Sequence, residues 1–146
     1  MGFKKILCPV DFSPCSRDAL RTAAQLAREW SASLVVAHVW QPSQWSFGEL
    51  APDVIQAAVD AEQAELRNAE MLAKELGVRV VEPRFLTGSP WDQLVTAVRN
   101  DPEIDLIVMG THGRTGLKHV VMGSVAEKVV RHAPCAVLVI RSREGK

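Results

Sequence analysis

The sequence predicts an α/β fold of three layers, in which a doubly wound, five-stranded parallel sheet is covered by helices on both faces. Five short apolar runs alternate along the chain with segments of helical periodicity, a pattern typical of β-α-β units. The second run, residues 34–40, is apolar on both faces, as expected for a parallel strand that is covered on both sides. No repeat, linker or low-complexity segment interrupts the pattern, so residues 1–146 are predicted to form a single domain.

Local signals mark the first elements. Residues 6–10 are the first predicted strand, and Pro9, which lacks an N–H, is expected near its end. Ser13 and Pro14 suit the N-cap and the first turn of a helix. The apolar face of this helix is predicted from residues at helical spacing, namely Leu20, Ala23, Ala27 and Trp30.

The middle of the chain contains the longest predicted helix, a third strand and a shorter helix. The long helix begins at Pro52, and Gly77 is expected to follow its end in the left-handed conformation. The third strand is predicted from Val78 to about Leu86, and Ser89 is expected to cap the helix after it. The core stripe of the long helix is predicted at Ile55, Val59, Leu66, Ala69, Ala73 and Leu76.

The segment from residue 104 to residue 124 carries the chemical signal. A buried strand, Leu106–Met109, leads into a glycine-punctuated loop and then into a helix that opens at Ser124. Ser124 and Glu127 have the spacing of a capping box. Backbone N–H groups in such a loop and in the first helical turn have no internal partners, and with the helix dipole they favour an anion. Residues 136–140 form the last predicted strand.

Three glycines in this segment are spaced Gly110-x2-Gly113-x9-Gly123, and Ser124 follows directly. This spacing is not that of a Gly-x4-Gly-Lys-Ser/Thr loop, and no Gly-x-Gly-x-x-Gly follows the first strand. Each glycine alone is explained by a tight turn. Three glycines together with a hydroxyl residue and a helix start favour a phosphate site at the carboxyl edge of the sheet, where Asp11 is also expected.

Composition excludes several functional classes. Lys plus Arg and Asp plus Glu number 17 each, so neither nucleic-acid binding by bulk charge nor a polybasic membrane anchor is expected. No apolar run approaches the length that spans a membrane. The three cysteines include no Cys-x-x-Cys pair, which favours buried thiols in the reducing cytoplasm and predicts no metal site.

Four segments resemble the universal stress protein family, and the resemblance covers essentially the whole chain. They are residues 4–13, 37–39, 105–116 and 134–141. The glycine spacing is similar to that of the ATP-binding branch of this family. The resemblance implies a Rossmann-like sheet in the order 3-2-1-4-5 and a homodimer that pairs the fifth strands of two subunits.

The resemblance also implies the roles of ten residues. Pro9, Val10, Asp11 and Val39 would line an adenine and ribose pocket. The phosphates and ribose would be held by Gly110, Gly113, Arg114, Gly123, Ser124 and Val125. No catalytic residue is predicted. His38, inside an apolar strand, is interpreted as a core histidine whose ring nitrogens are satisfied.

The leading hypothesis is a nucleotide-dependent regulatory module of the stress response that binds ATP with Mg²⁺. One alternative is a slow ATP hydrolase, although no Asp or Glu lies between Leu106 and Val125 to support efficient catalysis. The other alternative is a ligand-free dimeric scaffold in which the glycines are purely structural. A phospho-accepting receiver domain is disfavoured because Thr87 and Arg141 stand where an acceptor Asp and a Lys are needed.

Overall fold

The computed structural model describes residues 2–42, 51–113 and 122–142, and it contains a sheet of five parallel strands in the order β3-β2-β1-β4-β5. The predicted fold class and strand order are therefore confirmed. The elements are β1 (Lys5–Pro9), α1 (Pro14–Trp30), β2 (Ser33–Trp40), α2 (Pro52–Glu75), β3 (Val81–Thr87), α3 (Pro90–Asn100), β4 (Leu106–Gly110), α4 (Ser124–His132) and β5 (Ala136–Ile140).

Helices cover the sheet on both faces, and alternate residues of the central strands enter two separate cores. Ile6 and Cys8 of β1 pack against α1 and α2. Leu7, between them, packs against α3 and α4. All three side chains are completely buried. The central strands therefore have no polar face, which is the reason their sequence reads as continuous apolar runs.

The predicted helix ends are confirmed at two places by their backbone geometry. The Ser13 hydroxyl accepts a hydrogen bond from the Ser16 amide at 3.2 Å and so caps α1. Gly77 follows the end of α2 with φ of +99°, a value that side-chain-bearing residues rarely adopt. The chain reverses sharply at Gly77 because glycine lacks a Cβ.

Some predicted boundaries and packing faces were wrong. β3 begins at Val81 and not at Val78, because the Val78 amide donates to the Ala73 carbonyl at 3.3 Å and closes the end of α2. β1 runs from Lys5 to Pro9, one residue earlier than predicted. Trp30 is exposed and packs on the ring of Phe3, with centroids 5.3 Å apart. None of the helices in the described ranges has the length and apolarity that crossing a membrane requires.

Candidate functional site

A cavity of about 440 Å³ lies at the carboxyl edge of the sheet, between the ends of β1, β2 and β4 and the beginning of α4. It forms where the chain leaves β1 toward one face of the sheet and leaves β4 toward the other. Arg114 lies outside the described residues. The other nine residues named by the sequence all line this cavity: Pro9, Val10, Asp11, Val39, Gly110, Gly113, Gly123, Ser124 and Val125.

The turn after β1 holds the Asp11 carboxylate in a defined position. Its Oδ1 accepts hydrogen bonds from the Ser13 amide at 3.0 Å and from the Ser13 hydroxyl at 2.5 Å. The Asp11 amide donates to Ser16 Oγ at 3.3 Å. Phe12, between Asp11 and Ser13, has a φ of +69°, which turns the chain sharply into α1. Asp11 is thus both a turn residue and part of the cavity wall.

The three glycines allow neighbouring atoms to approach the backbone closely, and none of them has a positive φ. Among the glycines of the described ranges, Gly77 and Gly88 have a positive φ. A Cβ on Gly110 would lie 2.6 Å from Cys15 Sγ. A Cβ on Gly113 would lie 2.5 Å from Asp11 Oδ2. Glycine at these positions lets the β4–α4 loop begin directly against α1 and Asp11.

The amides at the beginning of α4 divide into two groups. The Gly123 amide donates to the Thr111 carbonyl at 2.6 Å, so the expectation that this amide is open to an anion was wrong. The amides of Ser124, Val125 and Ala126 donate to no backbone carbonyl within the described ranges. All three residues line the cavity, and the first bond of the helix joins the Glu127 amide to the Gly123 carbonyl at 3.0 Å. The N–H groups in the first turn of a helix have no partner within the helix and can therefore hold an anion.

The predicted capping box does not form. Gly123 is the N-cap, with φ of −70° and ψ of 164°, and Ser124 is already the first helical residue. A capping hydroxyl must come from the residue before the first helical position, so Ser124 stands one place too late. The Glu127 carboxylate instead accepts a hydrogen bond from Arg131 Nη2 at 2.7 Å. The side chain of Ser124 therefore belongs to the cavity wall and not to a cap.

His38 and Glu62 form part of the same wall. The His38 side chain is 3% exposed, with Nδ1 2.7 Å from the Val10 carbonyl and Nε2 3.0 Å from Glu62 Oε1. The interpretation of His38 as a satisfied core histidine is confirmed. Glu62 was missed, although the sequence contains a signal for it. Glu62 occupies the place between Val59 and Leu66 in the apolar stripe of α2, where a carboxylate needs a partner.

Several ionisable side chains line the cavity. His112 lines the cavity, and its Nδ1 lies 3.0 Å from Thr111 Oγ1. The carboxylates on the wall are Asp11, Glu62 and Glu127. Within the described ranges, no three His, Cys, Asp or Glu side chains are grouped so that they could hold a metal ion.

The cysteines show no sign of a reactive thiol. Cys8 and Cys15 are buried, Cys135 is half-buried, and none of the three forms a disulfide. Burial raises the pKa of the Cys8 thiol far above its usual range. Burial, followed by the nearby Asp105 carboxylate, also raises the pKa of Cys135. Both thiols therefore favour the protonated, unreactive form.

Comparison with known proteins connects this geometry to one family. The protein-family model described as "Universal stress protein family" matches residues 2–141 of this chain. Universal stress protein MJ0531 of Methanocaldococcus jannaschii is 34% identical over 146 residues, which cover 95% of this chain and 82% of that protein. The structure of universal stress protein UspA from Lactobacillus plantarum has a TM-score of 0.83 at 30% identity, covering 97% of this chain and 99% of the other. A universal stress protein in complex with cAMP has a TM-score of 0.74 at 27% identity, covering 97% and 99%.

Proposed function

This chain belongs to the universal stress protein family, and we propose that it is a single-domain protein that binds an adenine nucleotide, ATP with Mg²⁺, and acts as a nucleotide-dependent regulatory module in the stress response. One observation carries the proposal. The cavity at the carboxyl edge of the sheet combines an apolar wall with three amides at the beginning of α4 that donate to no backbone carbonyl in the described part of the chain. The related universal stress protein in complex with cAMP supports the choice of an adenine nucleotide.

The shape of the cavity suggests how the ligand lies. Phosphate oxygens accept hydrogen bonds from the amides of Ser124, Val125 and Ala126, and the dipole of α4 adds to the attraction. Neighbouring strands are roughly 4.8 Å apart, so the end of β2 lies about 10 Å from the end of β4 across β1. The nucleoside then extends toward β2, where Val10 and Val39 offer apolar contacts. The Asp11 carboxylate accepts hydrogen bonds from ribose or base.

The residues present fit a magnesium ion that is held mainly by the nucleotide. Mg²⁺ in nucleotide sites commonly takes one or two carboxylates and completes its octahedron with phosphate oxygens and waters. Asp11 and Glu127 are carboxylates of the cavity wall that can serve in this way. The ion would neutralise phosphate charge. The Asp11 and Glu127 carboxylates are also engaged by Ser13 and Arg131, so the proposal does not include efficient catalysis.

The proposal extends to a homodimer through β5 in the cytoplasm. β5 lies at one edge of the sheet, and Leu138 on this strand is 39% exposed. Val130 of the neighbouring α4 is 46% exposed. An edge strand with exposed apolar side chains is suited to pairing with a second copy. The three free cysteines agree with a reducing compartment.

Two substitutions of Ser124 test nucleotide binding by separating its amide from its hydroxyl. Ser124→Pro removes one amide donor, yet proline is well tolerated at a first helical position. Gly123, with ψ of 164°, already has the extended backbone that the residue before a proline requires. Ser124→Ala keeps the amide and removes only the hydroxyl, so it is the matched control.

Calorimetric titration with ATP in the presence of Mg²⁺ provides the measurement. The lost hydrogen bond to a charged group is worth about 1.5–3 kcal/mol, so Ser124→Pro is expected to weaken binding about 10- to 100-fold. Ser124→Ala is expected to weaken binding less. If wild-type protein binds no adenine nucleotide, or if Ser124→Pro binds as well as wild type, the proposal is refuted.

A further inference from the structure

The His38 ring makes two hydrogen bonds, one at Nδ1 and one at Nε2, and each of them requires a hydrogen. Nδ1 lies 2.7 Å from the Val10 carbonyl oxygen, which can only accept, so Nδ1 carries a hydrogen. Nε2 lies 3.0 Å from Glu62 Oε1. A bare Nε2 and a bare carboxylate are both acceptors and would repel each other at this distance. The contact therefore contains a second hydrogen, shared between His38 and Glu62.

This shared proton determines the net charge of the pair. An imidazolium beside a carboxylate and a neutral imidazole beside a carboxylic acid both sum to zero, whereas loss of the proton leaves a charge of −1. The ring lies between Phe12 and Phe85, with centroids 4.4 Å and 5.7 Å away. Aromatic neighbours favour the cationic ring, so the protonated pair is an imidazolium and a carboxylate.

The other charged groups around the ring do not replace this proton. Asp11, at the turn after β1, lines the same cavity and adds negative charge. Within the described ranges, β3 presents the uncharged Phe85 to the ring. The neighbouring Arg84 points to the opposite face of the sheet, where it binds Glu82 and Asp101. Loss of the proton therefore makes this end of the cavity more negative, with no described cation facing the ring to compensate.

We infer that His38 and Glu62 hold one shared proton in the wall of the nucleotide cavity, and that release of this proton lowers the affinity for nucleotide. The inference rests on the proposed function, because a polyanionic ligand is what senses the added charge. Deprotonation adds a charge of −1 about 10 Å from the proposed phosphate positions and removes the hydrogen bond between His38 and Glu62. Nucleotide binding then takes up a proton in the pH range where the free protein has lost it.

The first experiment requires no nucleotide. Proton–nitrogen correlation spectra of the wild-type imidazole rings, recorded over the pH range in which the protein stays folded, follow the protonation of His38 directly. We expect an imidazolium at low pH that converts to the neutral form with hydrogen on Nδ1 as the pH rises. A neutral ring across the whole range would overturn the inference.

Glu62→Gln provides the decisive variant. A glutamine amide can donate its N–H to Nε2, so the contact persists without a proton that can be released, and His38 should remain neutral with hydrogen on Nδ1. Glu75→Gln, at the exposed end of the same helix and about 20 Å along it from Glu62, removes the same charge away from the cavity and is the matched control. Circular dichroism checks that both variants fold, and the wild-type spectra decide the shared proton even if Glu62→Gln does not.

The second experiment measures ATP affinity by calorimetry over the same pH range. Wild type and Glu75→Gln are expected to lose affinity by about five- to tenfold more than Glu62→Gln, from the Coulomb interaction of one charge with the phosphates roughly 10 Å away. Ionisation of ATP itself is the same for all three proteins, so their difference isolates the pair. Titrations in two buffers of different ionisation enthalpy count the proton taken up.

The outcomes distinguish the two proposals. If the affinity for ATP depends on pH in the same way in wild type and in Glu62→Gln, the inference is refuted, but the proposal that the protein binds a nucleotide stands. If ATP does not bind at any pH, the proposal of nucleotide binding is refuted, and so is the inferred effect of the proton on nucleotide affinity. The spectra of His38 then still decide whether the proton is shared.

Discussion

Gly110→Ala tests whether the glycine that ends β4 is required by packing. The added Cβ would lie 2.6 Å from Cys15 Sγ and 3.1 Å from both the carbonyl carbon and the carbonyl oxygen of Cys15. The thiol cannot easily turn away, since Sγ already lies 3.5 Å from the Ile140 carbonyl and 3.7 Å from Thr111 Oγ1. The two backbone atoms belong to the first turn of α1 and move only if the helix moves.

The magnitude follows from two opposing terms. Overpacking of this kind typically costs about 1–3 kcal/mol, and here the contact includes backbone atoms. Replacing glycine by alanine also restricts the unfolded chain, which stabilises by about 0.4–1 kcal/mol. We therefore expect Gly110→Ala to lower the free energy of unfolding by about 2 kcal/mol. For a chain of this length that corresponds to a decrease in Tm of roughly 4–8 °C.

Urea denaturation measures this change, and a double-mutant cycle identifies its cause. Cys15→Ala removes the sulfur but leaves the two contacts at 3.1 Å, so part of the cost should disappear in the double variant. A coupling of about 1 kcal/mol between the two substitutions is expected. If Gly110→Ala is as stable as wild type, or if the cycle shows no coupling, Gly110 is not required by its contact with Cys15.

Three further predictions concern other parts of the molecule. Ser13→Ala removes the cap of α1 and a donor to Asp11, and should lower the free energy of unfolding in urea by about 1 kcal/mol; an unchanged midpoint would contradict the cap. The hydrogen bond from Lys5 is the main reason that the pKa of Asp101 lies below its usual value. The ionised Asp101 therefore stabilises the fold at any pH above its unfolded pKa of about 3.9, and this stabilisation is lost as the pH falls through the lower folded pKa. Asp101→Asn should accordingly lower Tm at pH 7 and have a progressively smaller effect as the pH falls below the unfolded value, and an effect that does not change with pH would refute this origin. Leu138→Lys places a charge on the exposed face of β5, and light scattering should show a monomer in place of the proposed dimer, whereas a dimer that persists would exclude this edge.

Much of the fold follows from local signals. Gly77 predicted the left-handed backbone after α2, and Ser13 predicted the cap of α1, because both effects depend on atoms a few residues apart. The beginning of β3 could not be predicted in this way. Val78 has the composition of a strand residue, but its amide completes the end of α2, so the strand begins three residues later.

The candidate site shows the same division. The spacing of Gly110, Gly113 and Gly123 predicted a phosphate-binding loop; phosphate binding stays a prediction, and all three residues line the cavity. The place where α4 begins depended on a contact across that loop. The Gly123 amide binds the Thr111 carbonyl, which makes Gly123 the N-cap and places Ser124 inside the helix. A capping box that is plausible from spacing alone is thereby excluded.

The sequence by itself determined the α/β class and the order in which strands and helices follow one another, and its resemblance to the universal stress protein family named nine of the residues that line the cavity. The class and the order of the elements follow from periodicity and from glycine and proline positions, which act over a few residues. Only the tertiary structure decided that the Gly123 amide is paired with Thr111 and that His38 meets Glu62, because such contacts join groups that the folding of the sheet brings together. Hydrogen bonding in a buried wall depends on distance in space, which local sequence does not specify.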